Sequence, residues 1–232
     1  PDGRMIGFFA DGSLNKIDVR GGPVIELCDT QDGRGGTWND EGTIVFQRNW
    51  SEGLMRIPAG GGTPETVTTL DADRFDVAHR WPHFLPDGRR FLFFVVSTTS
   101  VATSEYSGIY LGSLDSEETR MIMQTESRAL YGQEHLLYRD GSTLMARPVD
   151  PSSMELRGDP VPIATDITGG GLSWGGAHFG LSPDGLLVHL RGAGATNSLL
   201  VWRDREGTPL ETLGGAAGYF EPSLSHDGRF LA

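Results

Sequence analysis

An acidic residue, a glycine and then an apolar run recur along the whole chain, and this repeat limits the fold more than any other feature. The glycines of the motif lie at positions 3, 42, 88, 185 and 228, so the intervals are 39, 46, 97 and 43 residues. The long interval contains a degenerate copy, Tyr131-Gly132-Gln133, before the apolar run 135–138. Five periods therefore span 225 residues with a mean of 45. This period is typical of a four-stranded propeller blade.

Strand and turn patterns also recur within each period. The first period reads as strands 5–10, 14–19 and 24–28, and the first two are separated by Asp11-Gly12. Asp-Gly between two β-rich runs is a strong hairpin signal, because the tight turn needs residues with positive φ. No 11-residue window keeps the apolar spacing of a helix. The chain also has 33 glycines and 13 prolines. The sequence therefore predicts an all-β protein.

These patterns predict a β-propeller of four-stranded antiparallel blades, with about five blades present. We place the blades roughly at residues 1–35, 36–78, 79–128, 129–175 and 176–218, with the start of a further blade at 219–232. The innermost strands are expected at 36–39, 81–85, 177–182 and 219–225. Residue 1 falls at the first turn of a blade, so that blade would lack its innermost strand. We therefore expect one partial propeller domain, a slice of a larger six- to eight-bladed propeller.

Charge and cysteine content exclude several functional classes. The chain has 19 basic and 31 acidic residues, a net charge of -12. This balance argues against nucleic acid as a partner, because such proteins need a basic face. Cys28 is the single cysteine, so an internal disulfide or a multi-cysteine metal site is not possible. Asp71, Asp73 and Asp76 lack the glycine and glutamate of a calcium loop, and we expect a solvated acidic turn there. We expect no cofactor and no metal.

Longer phrases carry a resemblance to known families. The repeat Ser182-Pro183-Asp184-Gly185 resembles that of the periplasmic protein TolB and its relatives. Further phrases resemble the propeller that follows the kinase domain and membrane helix of certain bacterial serine/threonine kinases of the eukaryotic-like type; they lie at 6–12, 35–39, 79–82, 84–88, 108–115 and 141–146. The resemblance implies a sensory or scaffolding domain outside the cytoplasm, in the periplasm or at the cell surface. Its ligand would be a protein, a peptide or a small molecule, and a membrane would be reached only through a tether outside this chain.

The sequence predicts no catalytic machinery of its own. Kinase chemistry needs His-Arg-Asp and Asp-Phe-Gly motifs, but His79-Arg80 is followed by Trp81 and no Asp-Phe-Gly occurs. Gly171-Leu172-Ser173-Trp174-Gly175 matches the nucleophile elbow of hydrolases, which works only on a strand-to-helix turn. Here it lies in a glycine-rich stretch that leads into a strand, and we interpret it as a linker between blades.

Three alternatives to the kinase-linked sensor remain open. The chain could be the propeller that gates access to a prolyl-oligopeptidase-like peptidase, with its hydrolase segment further along the chain. It could be a free-standing TolB-like periplasmic binding protein. A propeller glycosidase is the weakest alternative, since Asp32, Glu41 and Glu221 are the only nearby acids outside the repeated turns. Fold alone does not decide among these functions.

The candidate binding residues lie on the expected innermost strands, which line the channel of a propeller. They combine arginine, histidine and aromatic side chains with one acid: Arg34, Trp38, His79, Arg80, Trp81, His178, Tyr219 and Glu221. Such a set could bind an anionic or peptidic ligand through charge-assisted hydrogen bonds and stacking. For Trp38, Trp81 and Tyr219 we favour the alternative that the rings wedge between adjacent blades.

Overall fold

The computed structural model describes residues 2–98, 105–167, 175–182, 185–191, 198–203, 208–217 and 224. The chain divides into two compact units, Pro1–Thr125 and Glu126–Ala232. Every regular element in the described ranges is a β-strand, with no helix among them. It follows that this part of the chain offers no helix that could cross a bilayer.

The first unit contains eleven strands in three antiparallel sheets. The first sheet has three strands in the order β1-β2-β3, and the next two have four each, β4 to β7 and β8 to β11. The strands are β1 (Met5–Ala10), β2 (Ser13–Asp18), β3 (Ile25–Asp29), β4 (Gly36–Trp38), β5 (Thr43–Gln47), β6 (Leu54–Pro58), β7 (Glu65–Thr66), β8 (Asp76–Phe84), β9 (Arg90–Ser97), β10 (Gly108–Ser113) and β11 (Ser116–Gln124).

The second unit contains two four-stranded sheets, β12 to β15 and β16 to β19, again in chain order. Its strands are β12 (Ala129–Gly132), β13 (His135–Asp140), β14 (Thr143–Pro148), β15 (Val161–Ala164), β16 (Phe179–Leu181), β17 (Leu187–Arg191), β18 (Ser198–Arg203) and β19 (Pro209–Ala217). Within every sheet a strand pairs only with its neighbours in sequence, always antiparallel. These five sheets are β-propeller blades, as the repeat predicts, and we number them 1 to 5.

The hairpin turns have the backbone conformation that their sequences predict. Asp11 and Gly12 have φ of 52° and 78°, and they close the β1–β2 hairpin, in which Ala10 pairs with Ser13. The predicted start of one innermost strand is wrong, since β8 begins at Asp76 and not at 81. Its register shifts between Arg80 and His83. This β-bulge interrupts the alternation of side chains between the two faces of the strand, on which the prediction was based.

Blades 2 and 3 pack through strands that are buried on both faces. Ile44 and Phe46 of β5 belong to an apolar cluster shared with blade 1, whereas Val45 belongs to a cluster with Phe91 and Phe93 of blade 3. Successive side chains of a strand point to opposite faces, so a strand between two blades is apolar at consecutive positions. This explains the unbroken apolar runs that follow the repeated glycines.

Asn39, in the turn after β4, joins blades 2 and 3 by hydrogen bonds. Its Oδ1 accepts from the backbone N–H of Thr43 at 2.8 Å, and its Nδ2 donates to the carbonyl of Gly88 at 2.8 Å. The residue is 4% exposed. The side chain of Asn39 is therefore shielded from water, whereas its partners Thr43 and Gly88 are half-buried.

Asn39→Ala is expected to lower the free energy of unfolding by about 1–3 kcal/mol, because the hydrogen bonds to Thr43 and Gly88 are both lost and each contributes about 0.5–1.5 kcal/mol. Urea unfolding followed by tryptophan fluorescence measures the change. The neighbouring exposed residue supplies the control, since Asp40→Ala removes a solvated side chain and should change the value by less than about 0.5 kcal/mol. Equal urea midpoints for Asn39→Ala and the wild type would contradict this role.

Candidate functional site

Three segments of the first unit meet beside the innermost strands of blades 2 and 3. They are residues 31–35, which lead into β4, residues 47–52, which link β5 to β6, and residues 79–81 of β8. The N–H of Gln47 donates to the carbonyl of Gly35 at 3.3 Å, and the N–H of Trp81 donates to the carbonyl of Arg34 at 3.1 Å. Backbone hydrogen bonds thus fix the side chains of these segments against one another.

Two arginines of these segments lie close together, and we call Arg34, Arg80 and their neighbour Asp32 the arginine cluster. Arg80 is 4% exposed, and its Nη2 donates to the carbonyl of Trp50 at 3.1 Å. Nη2 of Arg34 lies 2.9 Å from Oδ2 of Asp32. Burial lowers the pKa of Arg80, the positive charge of Arg34 lowers it further, and Asp32 opposes both effects. The three side chains of the cluster are thus two cations and one anion.

Gln47 adds uncommitted hydrogen-bonding groups beside the arginine cluster. The residue is fully buried, and among the described residues neither its amide oxygen nor its amide nitrogen has a hydrogen-bond partner. The same holds for Nε of Arg34 and Oδ1 of Asn49. Native proteins leave few buried polar atoms unpaired, and a concentration of them indicates a place for water, an ion or a ligand.

Trp81 is a buried aromatic residue of this region with an unusual backbone conformation. It is 4% exposed and has φ of 55°, a conformation that bulky residues rarely adopt. Gly35 lies against its ring, because a Cβ at Gly35 would come within 2.8 Å of Cε3 of Trp81. Trp38 is half-buried and packs on the apolar cluster that includes Phe46. Both rings fill space between segments of neighbouring blades.

Gly35→Ala is expected to destabilise the protein by two separate effects. The φ of +84° at Gly35 strains any other residue by about 1–2 kcal/mol, and the new methyl group also displaces Trp81. Gly21→Ala is the matched control, because Gly21 has φ of +91° and nothing within 4 Å of the added Cβ. In thermal unfolding Gly35→Ala should lose more stability than Gly21→Ala. An equal loss would show that the Trp81 contact is unimportant.

His79 lies next to the arginine cluster but points into a buried hydrogen-bond relay. Its Nδ1 lies 2.7 Å from Oγ1 of Thr68, and its Nε2 lies 3.2 Å from Oδ2 of Asp76. Oγ1 of Thr68 accepts from the N–H of Leu54 at 2.8 Å. Since a carboxylate can only accept, His79 donates from Nε2, and the hydroxyl of Thr68 donates to Nδ1. Both ring nitrogens of His79 are therefore satisfied when the imidazole is neutral.

The acidic turn predicted at 71–76 is wrong in one respect, because the side chain of Asp76 is fully buried. Nη2 of Arg74 lies 2.8 Å from its Oδ2, and the N–H of Asp71 donates to the same oxygen at 3.1 Å. Hydrogen bonds from His79 and Arg74 outweigh burial and lower the pKa of Asp76. Asp76 is therefore the charged end of the relay, and no feature of the sequence indicates the orientation of its side chain.

We expect His79 to stay neutral at pH values where a free histidine is protonated, because burial lowers its pKa below 6.5 despite the charge of Asp76. The unfolded chain then binds a proton that the folded chain does not. This contribution to stability is intact above about pH 6.5 and declines as the pH falls below it. An NMR titration of the histidine ring protons, with His79 assigned from His79→Gln, measures the pKa. A value at or above 6.5 contradicts the expectation.

The other predicted residues lie elsewhere. His178 is half-buried in the second unit, and Tyr219 and Glu221 lie outside the described residues, as does the segment 171–174 with Ser173. The structure thus brings Arg34, Arg80 and Trp81 together. Gln47 and Trp50 are not among the residues predicted from the sequence. The available signal was a tryptophan between polar residues of a turn, and in the structure Trp50 is 53% exposed. Within the described ranges, no three histidine, cysteine or acidic residues are arranged to hold a metal ion.

Comparison with known proteins identifies the fold. No protein-family model matches the chain, and no curated protein matches it. Among solved structures it is similar to a putative TolB from Agrobacterium tumefaciens, with 19% identity, a TM-score of 0.68, and coverage of 100% of this chain and 86% of that one. It is also similar to a gluconolactonase from Xanthomonas campestris, with 14% identity, a TM-score of 0.70, and coverage of 99% of this chain and 78% of that one.

A third similar structure is regucalcin from Agrobacterium tumefaciens, which is described as a calcium-binding protein. It has 12% identity, a TM-score of 0.67, and coverage of 97% of this chain and 76% of that one. At such identities the similarity concerns the fold and not the activity. The chain therefore has a β-propeller fold of the kind found in TolB-like and gluconolactonase-like proteins.

Proposed function

We propose that this chain is a non-catalytic binding propeller and that its arginine cluster holds a carboxylate-bearing peptide. The observation that carries the proposal is the buried amide of Gln47, whose oxygen and nitrogen have no hydrogen-bond partner among the described residues. The backbone N–H of the same residue donates to the carbonyl of Gly35, next to Arg34. Unpaired buried polar atoms indicate a place for a ligand, and the guanidinium groups of Arg34 and Arg80 favour one that carries a carboxylate.

The charge distribution supports an anionic ligand in particular. The chain has a net charge of -12, so its average field repels anions, and cationic groups gathered at one place are the exception. Arginine matches carboxylates better than lysine does, because its planar fork can donate two parallel hydrogen bonds. A peptide also suits the neighbouring groups, since the unpartnered amide of Gln47 can pair with a backbone amide and the exposed ring of Trp50 offers a stacking surface.

Binding can be measured with an oligoglutamate peptide, using tryptophan fluorescence to report on Trp50 and Trp50→Phe to assign the signal. Arg34→Gln and Arg80→Gln should each weaken binding by about tenfold or more, because hydrogen bonds between charged groups contribute roughly 1.5–3 kcal/mol. Arg56→Gln is the matched control. It removes the same charge from β6, where Nη2 of Arg56 lies 2.8 Å from Oε2 of Glu65 on the outer strand.

Two results would contradict this proposal. One is equal weakening by Arg56→Gln and Arg80→Gln, which would indicate nonspecific attraction. The other is equal affinity for oligolysine and oligoglutamate. Circular dichroism of each variant checks that the loss does not come from unfolding.

We further propose that this propeller is the extracytoplasmic sensor domain of a membrane-bound serine/threonine kinase. The support is the set of sequence phrases that resemble such kinases, including 79–82 and 108–115. Sequencing the flanking coding region tests it. A kinase domain with a His-Arg-Asp loop, followed by an apolar helix before this chain, is the expected result. A Gly-x-Ser-x-Gly hydrolase segment after it would contradict the kinase and favour the peptidase-gating alternative.

A further inference from the structure

Gln47 carries a side-chain amide that is directed at blade 3. In β5 successive side chains alternate between the two faces of the strand, so Gln47 shares its face with Val45, which belongs to the cluster with Phe91 and Phe93 of blade 3. The residue is fully buried, and among the described residues both atoms of its amide lack a hydrogen-bond partner. A complete polar group therefore lies unpaired between two blades.

The backbone opposite Gln47 leads directly to Arg34. The N–H of Gln47 donates to the carbonyl of Gly35 at 3.3 Å, which extends the β4–β5 pairing by one residue. A Cβ at Gly35 would come within 2.8 Å of Cε3 of Trp81, so the Trp81 ring occupies the space of the missing side chain opposite Gln47. Arg34 precedes Gly35, and its buried Nε also has no partner in the described part of the chain. Unpaired groups of two residues thus lie in one short stretch of paired backbone.

The unpaired atoms of this stretch include acceptors as well as donors. Within the described ranges the donors are Nε of Arg34 and Nε2 of Gln47, and the acceptors are Oε1 of Gln47 and Oδ1 of Asn49. Nδ2 of Asn49 donates to Oε1 of Gln31 at 2.9 Å, which holds Asn49 against the segment that carries Arg34. A carboxylate can only accept hydrogen bonds, so it satisfies the donors and leaves both acceptors unpaired. A matching ligand must therefore carry an N–H donor next to its negative charge.

The C-terminal residue of a peptide combines these groups in one unit. In an extended chain the N–H and the C=O of one residue point to the same side, so a glutamine amide can accept from the N–H and donate to the oxygen. At a C-terminus that oxygen belongs to the carboxylate, whose second oxygen is left for an arginine. Burial of Gln47 favours the same ligand, because a chain end can enter the space between two blades, whereas the middle of a chain must also leave it.

We propose that the arginine cluster takes the free C-terminus of a peptide and that Gln47 binds its terminal residue. This inference rests on the proposed function and narrows its ligand from any carboxylate-bearing peptide to one with a free terminal carboxylate. Oε1 of Gln47 accepts from the N–H of the terminal residue, Nε2 of Gln47 donates to one carboxylate oxygen, and Nε of Arg34 donates to the other. Capture of a terminal carboxylate by fixed donors is a recurrent mode of peptide recognition.

The experiment compares oligoglutamate with a free C-terminus and the same peptide with a C-terminal amide, using the fluorescence of Trp50 in the intact chain. Amidation keeps every side-chain carboxylate and replaces the terminal one with a neutral group. We expect amidation to weaken binding about tenfold or more, because the charge-assisted hydrogen bonds to the terminus are lost. N-acetyl oligoglycine, whose single carboxylate is the terminal one, should compete with oligoglutamate, and its C-terminal amide should not.

Gln47→Met tests the amide itself, because methionine keeps the length of the side chain. It should remove most of the preference for the free terminus without lowering the urea midpoint, since within the described ranges the amide has no hydrogen bond to lose. Arg56→Gln is the control and should leave the preference unchanged.

The possible failures of this inference and of the proposed function differ. Equal affinity for free and amidated oligoglutamate overturns the terminal carboxylate, and the proposed function still stands if Arg80→Gln weakens binding of both peptides. A preference that persists in Gln47→Met overturns the role of Gln47. Absence of binding by either form of oligoglutamate overturns the proposed function itself, and this inference with it.

Discussion

The packing of blade 2 against blade 3 is the constraint on which the first unit depends. Val45 and Leu54 share one apolar cluster with Phe91 and Phe93 across this interface, and strands β5 and β9 are closed to water on both faces. Polar side chains at the ends of these strands must then find partners within the protein. The relay of Thr68, His79 and Asp76 meets this requirement at the edge of the same apolar cluster, where the ring of His79 lies 5.0 Å from that of Phe93.

The arginine cluster and that relay both contain buried polar atoms without a hydrogen-bond partner among the described residues. In the relay this is Oδ1 of Asp76, on a carboxylate whose Oδ2 is bonded to His79, Arg74 and the N–H of Asp71. At the arginine cluster both amide atoms of Gln47 are unpartnered. Structural polar networks in proteins are normally complete. Gln47 is therefore the clearer sign of a ligand, because the whole polar group of its side chain is unpartnered and not one atom of it.

The repeat predicted the blades well because turn chemistry and strand alternation are local properties. Met5–Ala10 and Val161–Ala164 are strands as expected, and Asp11-Gly12 forms the expected turn. The site was less accessible to prediction, because the bulge between Arg80 and His83 decides which way each side chain points. The ring of His79, which the sequence predicts at a channel, bonds to Thr68 and Asp76. The repeat of blade 4 is harder to recognise because Tyr131-Gly132-Gln133 keeps the glycine but has Tyr131 where the other copies have an acidic residue.

The use of arginine in place of lysine also suits a site whose basic residues must stay charged while buried. Lys16 is the single lysine of the chain, and both cations of the arginine cluster, Arg34 and Arg80, carry guanidinium groups. A buried lysine readily loses its proton, whereas a guanidinium stays charged at any physiological pH. Burial and a neighbouring cation can thus lower the pKa of Arg80 without discharging it. Its positive charge is retained, which is what the proposed carboxylate ligand requires.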